Sequence, residues 1–211
     1  MKHPYQDLTP DVVLDALSAL GLPVDGRMSA LSSYENRVYQ VMLDDAEPVV
    51  VKIYRPGRWT DAQIQEEHAF TAEMVAEELP VVGPLTFQGR TLHEVHTQGE
   101  TGPQRFVFSV SPRRGGRWPE LDDPEVLNWI GRFLARIHLV GARDTFKARP
   151  ALNVDTFGWD SLQWLQENQA IALEVEATWL SVCREALGLA QAALAAFPMA
   201  LLRLHGDCHP G

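Results

Sequence analysis

Pro48-Val49-Val50-Val51-Lys52-Ile53-Tyr54 is a β-branched run with one ammonium in its midst, and its neighbours decide how the chain reads. Such a run bounded by turn residues predicts a strand. Upstream, Arg37-Val38-Tyr39-Gln40-Val41-Met42-Leu43 alternates with period two, and Asp44-Asp45-Ala46-Glu47 between the runs predicts a tight turn. Met28 to Ser33 supplies a further run, so Lys52 falls on the third strand of an antiparallel meander. Downstream, Thr60-Asp61-Ala62-Gln63 predicts a capping box, with Thr60 as N-cap and Gln63 answering it. The helix it opens bears Glu66 and Glu67, runs to about Glu78 and ends before Pro80.

Thr9-Pro10-Asp11 predicts an earlier short helix, with Val12, Val13, Ala16, Leu17 and Leu20 as its apolar stripe and Gly21 closing it. Strands are expected at Leu92 to His96 and Arg105 to Val110, and the Pro/Arg/Gly stretch Ser111 to Pro119 then breaks regular structure. Beyond it the chain turns helical. Asp123-Pro124-Glu125 begins a helix through His138, followed by Gly141, and Gly158 to Phe197 is mostly helical by composition. Leu201 to Leu204 predicts a short strand leading into His205-Gly206-Asp207-Cys208-His209. Strands first and helices afterwards is an α+β order. The expected division is a lobe over 1–110, a linker over 111–119 and the start of a second lobe over 120–211.

The composition is that of a globular protein, 45% apolar and 22% charged, in 211 residues. A net charge of −10 argues against nucleic-acid and membrane-surface partners, which need a positive field. Cys183 and Cys208 stand in unrelated contexts and predict no disulfide framework. Neither a signal-peptide segment nor a run long enough to span a membrane is visible, so the cytoplasm is the expected compartment.

Asp207, in a loop after an apolar strand, is placed to orient a substrate hydroxyl and accept its proton. Two other readings of that loop compete: a turn closed by an Asx hydrogen bond, and a metal site of His205, Asp207, Cys208 and His209. Lys52 sharpens the choice. In a kinase N-lobe the third strand supplies the lysine that holds the nucleotide's α- and β-phosphates, and the next helix supplies its glutamate.

Leu31 to Gln40 (with SYENRVYQ), Val50 to Trp59 (with YRPGRW), Ile64 to His68 (IQEEH) and Leu202 to His209 (LRLHGDCH) closely resemble the aminoglycoside phosphotransferase/choline kinase-like family. The likeness runs in order from about residue 5 to the last residue. It implies a bilobal protein-kinase-like fold: about five antiparallel strands plus a helix in the N-lobe, and a mainly helical C-lobe. It also implies ATP and Mg²⁺ as cofactors and, for the branch resembled, Ser/Thr protein kinase activity in the cytoplasm and a role in stress survival. By the same resemblance Ser33 contacts ATP from the loop between the first two strands, Lys52 holds phosphate and Asp207 is catalytic. Glu67 rather than Glu66 pairs with Lys52, because Glu67 stands 13 residues before Pro80, as in the family. Phe108 to Pro112, centred on Val110, is the expected hinge against adenine.

The chain departs from kinase patterns in two places. Ser32, Ser33, Tyr34 and Asn36 replace a G-x-G-x-x-G phosphate loop, leaving backbone N–H groups and hydroxyls as donors, and Asn36 is expected with Ser33 among the nucleotide-binding residues. The family motif continues after Gly211 with an asparagine and, on a later strand, an aspartate, both Mg²⁺ ligands; the 211 residues alone are therefore expected to contain no metal ligand and to be inactive. The acceptor is expected to be a protein Ser or Thr. The rivals are a small hydroxyl compound (aminoglycoside, choline or homoserine type) and a nucleotide-binding module without turnover. Arg113, Arg114 and Arg117 are expected in a solvated loop, Trp129, Trp164 and Trp179 in the core, and His138 at a helix end.

Overall fold

The computed structural model describes residues 4–99, 102–197 and 199–208. Two compact units partition the chain: Met1–Arg143 with Leu204–Gly211, and Asp144–Arg203.

In the first unit, helix α1 (Pro10–Ala19) starts at Thr9, whose side chain accepts the Val12 N–H, with Pro10 in the first turn where a missing N–H costs nothing. Five strands follow: β1 (Val24–Leu31), β2 (Arg37–Leu43), β3 (Ala46–Ile53), β4 (His93–Gly99) and β5 (Gly102–Pro112). They form one antiparallel sheet in the order β1-β2-β3-β5-β4. The first three are the expected meander, with Asp45 at φ 51 in the turn. β5 then pairs with β3, setting Lys52 opposite Ser109, and the edge strand β4 lies outside it.

The run at 48–54 lacks alternation because both faces of the sheet are covered. Val49, Val51 and Ile53 join Phe106, Phe108 and Val110 in one cluster with Tyr5, Val13 and Leu17. The opposite face carries Lys52 and Tyr54, and there Tyr54 and Val107 pack with Ile64. Burying each large apolar side chain contributes about 1.5–3 kcal/mol, so this double-sided centre is where the unit's stability concentrates.

Helix α2 (Asp61–Ala76) begins with the expected capping box: Gln63 N–H donates to Thr60 Oγ1 at 3.3 Å and Thr60 N–H to Gln63 Oε1 at 2.9 Å. Arg105 on β5 binds both Asp61 oxygens, at 3.1 and 2.5 Å, and Glu94 on β4 at 2.6 Å. The guanidinium holds both carboxyls below the usual carboxylate range. At the other end of α2, Arg136 donates to Glu77 O at 2.8 Å and Arg143 to Glu77 Oε1 at 2.6 Å. Both arginines belong to or adjoin helix α3 (Pro124–Gly141), which starts at Asp123. This helix runs through Gly141 rather than stopping at His138, because the Ala142 N–H still finds the His138 carbonyl at 2.8 Å.

The second unit contains one π-helical turn (Asp155–Trp159), α4 (Asp160–Glu167) and α5 (Leu173–Ala195). Gly158 packs so closely on Leu187 of α5 that a Cβ there would collide with it. No described residue of α5 is buried.

Two expectations fail. Leu201–Leu204 pairs with no strand among the described residues, and Leu201 and Leu204 face solvent. Three leucines around Arg203 read as a short apolar run, but a strand needs a ladder partner. Trp129, Trp164 and Trp179 are exposed rather than core. Helical spacing tells which residues share a face and says nothing of whether a neighbour covers it.

Candidate nucleotide site

Strand alternation turns Lys52 and Tyr54 to the face over which α2 lies, and the first turns of α2 bring Glu67 above them. Lys52 Nζ donates to Glu67 Oε1 at 3.0 Å. The ammonium also stands 4.6 Å from the centroid of the Tyr54 ring, in cation–π range. The two charged side chains keep 34% and 31% of their surface exposed. A lysine fixed by a carboxylate and an aromatic face, yet open on one side, suits an anion with several oxygens. Glu67, the residue expected as partner, makes this contact.

The β1–β2 loop is tethered on its second half. Tyr5 Oη donates to Glu35 O at 2.9 Å, and burial pushes this hydroxyl up to about 12, so it stays a donor. Arg58 Nε donates to Glu35 Oε2 at 3.0 Å, and the Arg55 N–H donates to Asn36 Oδ1 at 3.3 Å. Ser32, Ser33 and Tyr34 at the tip are exposed, Tyr34 fully. Asn36 therefore carries a loop-holding hydrogen bond on its oxygen, with its NH₂ group on the other side of the carboxamide.

On β5, the Tyr54 N–H donates to Val107 O and the Arg113 N–H to Pro48 O. With Lys52 opposite Ser109 and Val50 opposite Ser111, antiparallel alternation points the main chain of Ser109 and Ser111 at β3 and that of Val110 away from it. Pairing with β4 ends at Phe108, and past that point Val110 O accepts the Leu85 N–H at 2.7 Å.

Asp207 is exposed and follows Gly206, whose φ of +80 is a left-handed conformation that glycine adopts without a Cβ clash. Its N–H donates to His205 Nδ1 at 3.3 Å. Among the described residues no group of three or more His, Cys, Asp or Glu side chains converges as a metal site. His209, part of the metal reading, lies outside the described residues.

Sequence reasoning missed Tyr5, Arg55 and Arg58, which hold the loop, and the buried pair Tyr54–His68 behind Lys52. Tyr54 and His68 were within reach: they stand two residues after Lys52, just past the end of its strand, and one after Glu67 on its helix. The tethers of the loop are long-range contacts without a local pattern.

A family model described as "Phosphotransferase enzyme family" matches residues 27–211. Stress response kinase A of Escherichia coli strain K12 is 38% identical over 207 residues, 98% of this chain and 60% of that protein. Serine/threonine protein kinase RdoA of Salmonella typhimurium strain LT2 is 36% identical with the same coverage. The chain thus spans about 60% of the length of the curated relatives it matches. Among solved structures, amicoumacin kinase hAmiN in complex with AMP-PNP, Ca²⁺ and Ami superposes with a TM-score of 0.55 at 17% identity, over 77% of this chain and 55% of that one. A microcompartment-associated aminopropanol kinase gives 0.54 at 20% identity, over 73% and 49%. These likenesses show an α+β, kinase-like fold with the five-stranded sheet as N-lobe and the later helices as part of a C-lobe.

Proposed function

This chain belongs to the phosphotransferase enzyme family, and from that premise we propose that it carries the nucleotide-binding part of an ATP-dependent Ser/Thr protein kinase of stress response. The observation that carries the reading is the Lys52–Glu67 ion pair on the interior strand β3, joined to the capped helix α2. When bound, ATP with Mg²⁺ supplies the transferable phosphoryl group and spreads its charge over metal and protein.

Lys52 grips the α- and β-phosphate oxygens, and Glu67 keeps the ammonium from turning away. Ser33 covers the phosphates from the exposed loop tip, with Asn36 offering its NH₂ group below. Val110 presents its main-chain N–H to adenine, since its carbonyl already accepts Leu85. Asp207 orients the acceptor hydroxyl and takes its proton. Catalysis in this arrangement is mainly positioning and electrostatics. No residue of the chain is assigned to the metal. Among the described residues no helix is long and apolar enough to cross a membrane, and the cytoplasm is the proposed compartment.

A second reading, a small-molecule hydroxyl kinase, draws on the two solved structures, whose names give amicoumacin and aminopropanol kinases. The name of the relative RdoA favours a protein acceptor. The test is Mg²⁺-dependent transfer of labelled phosphate by the full-length protein, offered protein Ser/Thr hydroxyls in one arm and amino alcohols or aminoglycosides in another. Label in protein, lost in Asp207→Asn by roughly two to four orders of magnitude and kept in Cys208→Ser, is expected. Label confined to the small compounds selects the second reading, and an active Asp207→Asn protein removes Asp207 from the site.

A further inference from the structure

Behind the Lys52–Glu67 pair runs a chain of polar groups drawn from four segments, three of them buried and Thr91 half-buried. Tyr54 Oη hydrogen-bonds with His68 Nε2 at 2.8 Å and with Ser109 Oγ at 3.3 Å. His68 Nδ1 hydrogen-bonds with Thr91 Oγ1 at 2.8 Å. Tyr54, His68 and Ser109 are all buried, at 2%, 6% and 3% exposure. Both imidazole nitrogens are thus used, and each partner is a hydroxyl that can donate or accept, so either neutral tautomer is satisfied.

The placement of this chain matters more than its existence. Tyr54 follows Lys52 by two residues on one face of the strand, and His68 follows Glu67 by one on α2. Strand and helix are therefore joined twice side by side: once by an ion pair open to solvent, and once by a hydrogen bond out of water. α2 is also held by exposed ion pairs at its two ends, Arg105–Asp61 and Arg143–Glu77, by the Arg136 bond to the Glu77 carbonyl and by the buried Ile64 packed on Tyr54 and Val107. Exposed pairs of this kind contribute little and are screened by salt. A buried polar group that loses its partner is costly by comparison, so the Tyr54–His68 contact tolerates less drift of α2 than the exposed ion pairs do. It also fixes the Tyr54 ring whose face lies 4.6 Å from the Lys52 ammonium.

We propose that Tyr54 and His68 are positioning residues for phosphoryl transfer: their buried hydrogen bond sets α2 at the height where Glu67 meets Lys52 and holds the aromatic face beneath the ammonium. The proposal rests on the reading of Lys52 and Glu67 as the phosphate grip. It adds two groups that touch no nucleotide and act through those that do.

A double-mutant cycle on the full-length protein tests it, with kcat and KM for Mg²⁺-dependent ATP turnover and the thermal midpoint measured for each variant. Tyr54→Phe removes the hydroxyl and keeps the ring. It is expected to lower kcat/KM roughly tenfold, the rate equivalent of one buried hydrogen bond left unmade. In a Glu67→Gln background the same change is expected to add less than roughly twofold, because the group it acts through is already gone. As a second variant, His68→Gln can still donate and accept, and is expected to keep turnover that His68→Leu loses. A full tenfold loss from Tyr54→Phe in the Glu67→Gln background, or equal losses in His68→Gln and His68→Leu, would make the contact merely structural and overturn the proposal while the phosphate grip stands. Undiminished turnover in both Lys52→Ala and Glu67→Gln would remove the grip itself, and the proposal with it.

Discussion

β5 and α5 are both rich in apolar residues and use them in opposite ways. In β5 the five consecutive residues Phe106–Val110 are all buried, since the strand lies between β3 and β4 with side chains packed above and below the sheet. In α5, 23 residues long, none is buried, and Leu173, Val175, Val182, Leu189 and Leu194 are exposed. The difference teaches where specificity is stored. A side chain on β3 or β5 has its direction set by strand parity and its environment by two covered faces, and Lys52, Tyr54 and Ser109 inherit their geometry from that. A helix of good propensity holds its own backbone but draws most of its stability from packing on an apolar face.

The largest expected effect follows directly. In this 211-residue chain Phe106→Ala should cost about 3–5 kcal/mol, since Phe106 is fully buried and its removal leaves a cavity. Leu189→Ala, on the exposed side of α5, should stay within about 0.5 kcal/mol. Denaturant midpoints of the two variants measure this. Comparable losses would mean that α5 packs as tightly as β5, and the contrast would fall.

A smaller effect sharpens the same contrast within the sheet unit. His93 of β4 lies between the rings of Phe87 and Phe108, at 5.9 and 5.6 Å, with Nε2 buried and without a hydrogen-bond partner. Burial lowers its pKa from the ordinary 6.5. The unfolded chain therefore binds a proton here more readily than the folded one. Stability from this group is fully present above about pH 6.5 and is lost as the pH falls through the window below it. His93→Phe should flatten that part of the stability–pH curve, measured by thermal melts between about pH 7.5 and 5.5, roughly one unit either side of the ordinary value. An unchanged slope would mean that His93 is solvated.

Much of the sheet unit is legible in the sequence. The capping box at Thr60 and Gln63, the turn at Asp44–Glu47 and the run around Lys52 are local signals, set by residues within a few positions of one another. Glu67 as the partner of Lys52 came from resemblance to a family, and α2 places it at 3.0 Å. What could not be read was non-local. Nothing in Arg105–Val110 tells that β5 inserts beside β3, and so opposes Ser109 to Lys52. The tether from Tyr5 to Glu35 joins residues 30 apart by one hydroxyl, without any motif. The strand expected at Leu201–Leu204 and the buried tryptophans failed for a related reason. Propensity and periodicity describe a segment, whereas pairing and burial belong to its neighbours.

In the proposed function the nucleotide binds against β3, the β1–β2 loop and the outer edge of β5. Amide hydrogen exchange on the full-length protein, with and without Mg-ATP and repeated for Lys52→Ala, tests it most directly. Slower exchange is expected at residues 32–36, 50–53 and 109–113 on adding nucleotide, with no change across 173–195 and loss of the effect at 32–36 and 50–53 in Lys52→Ala. Protection confined to 173–195, or identical protection with and without the lysine, would contradict it.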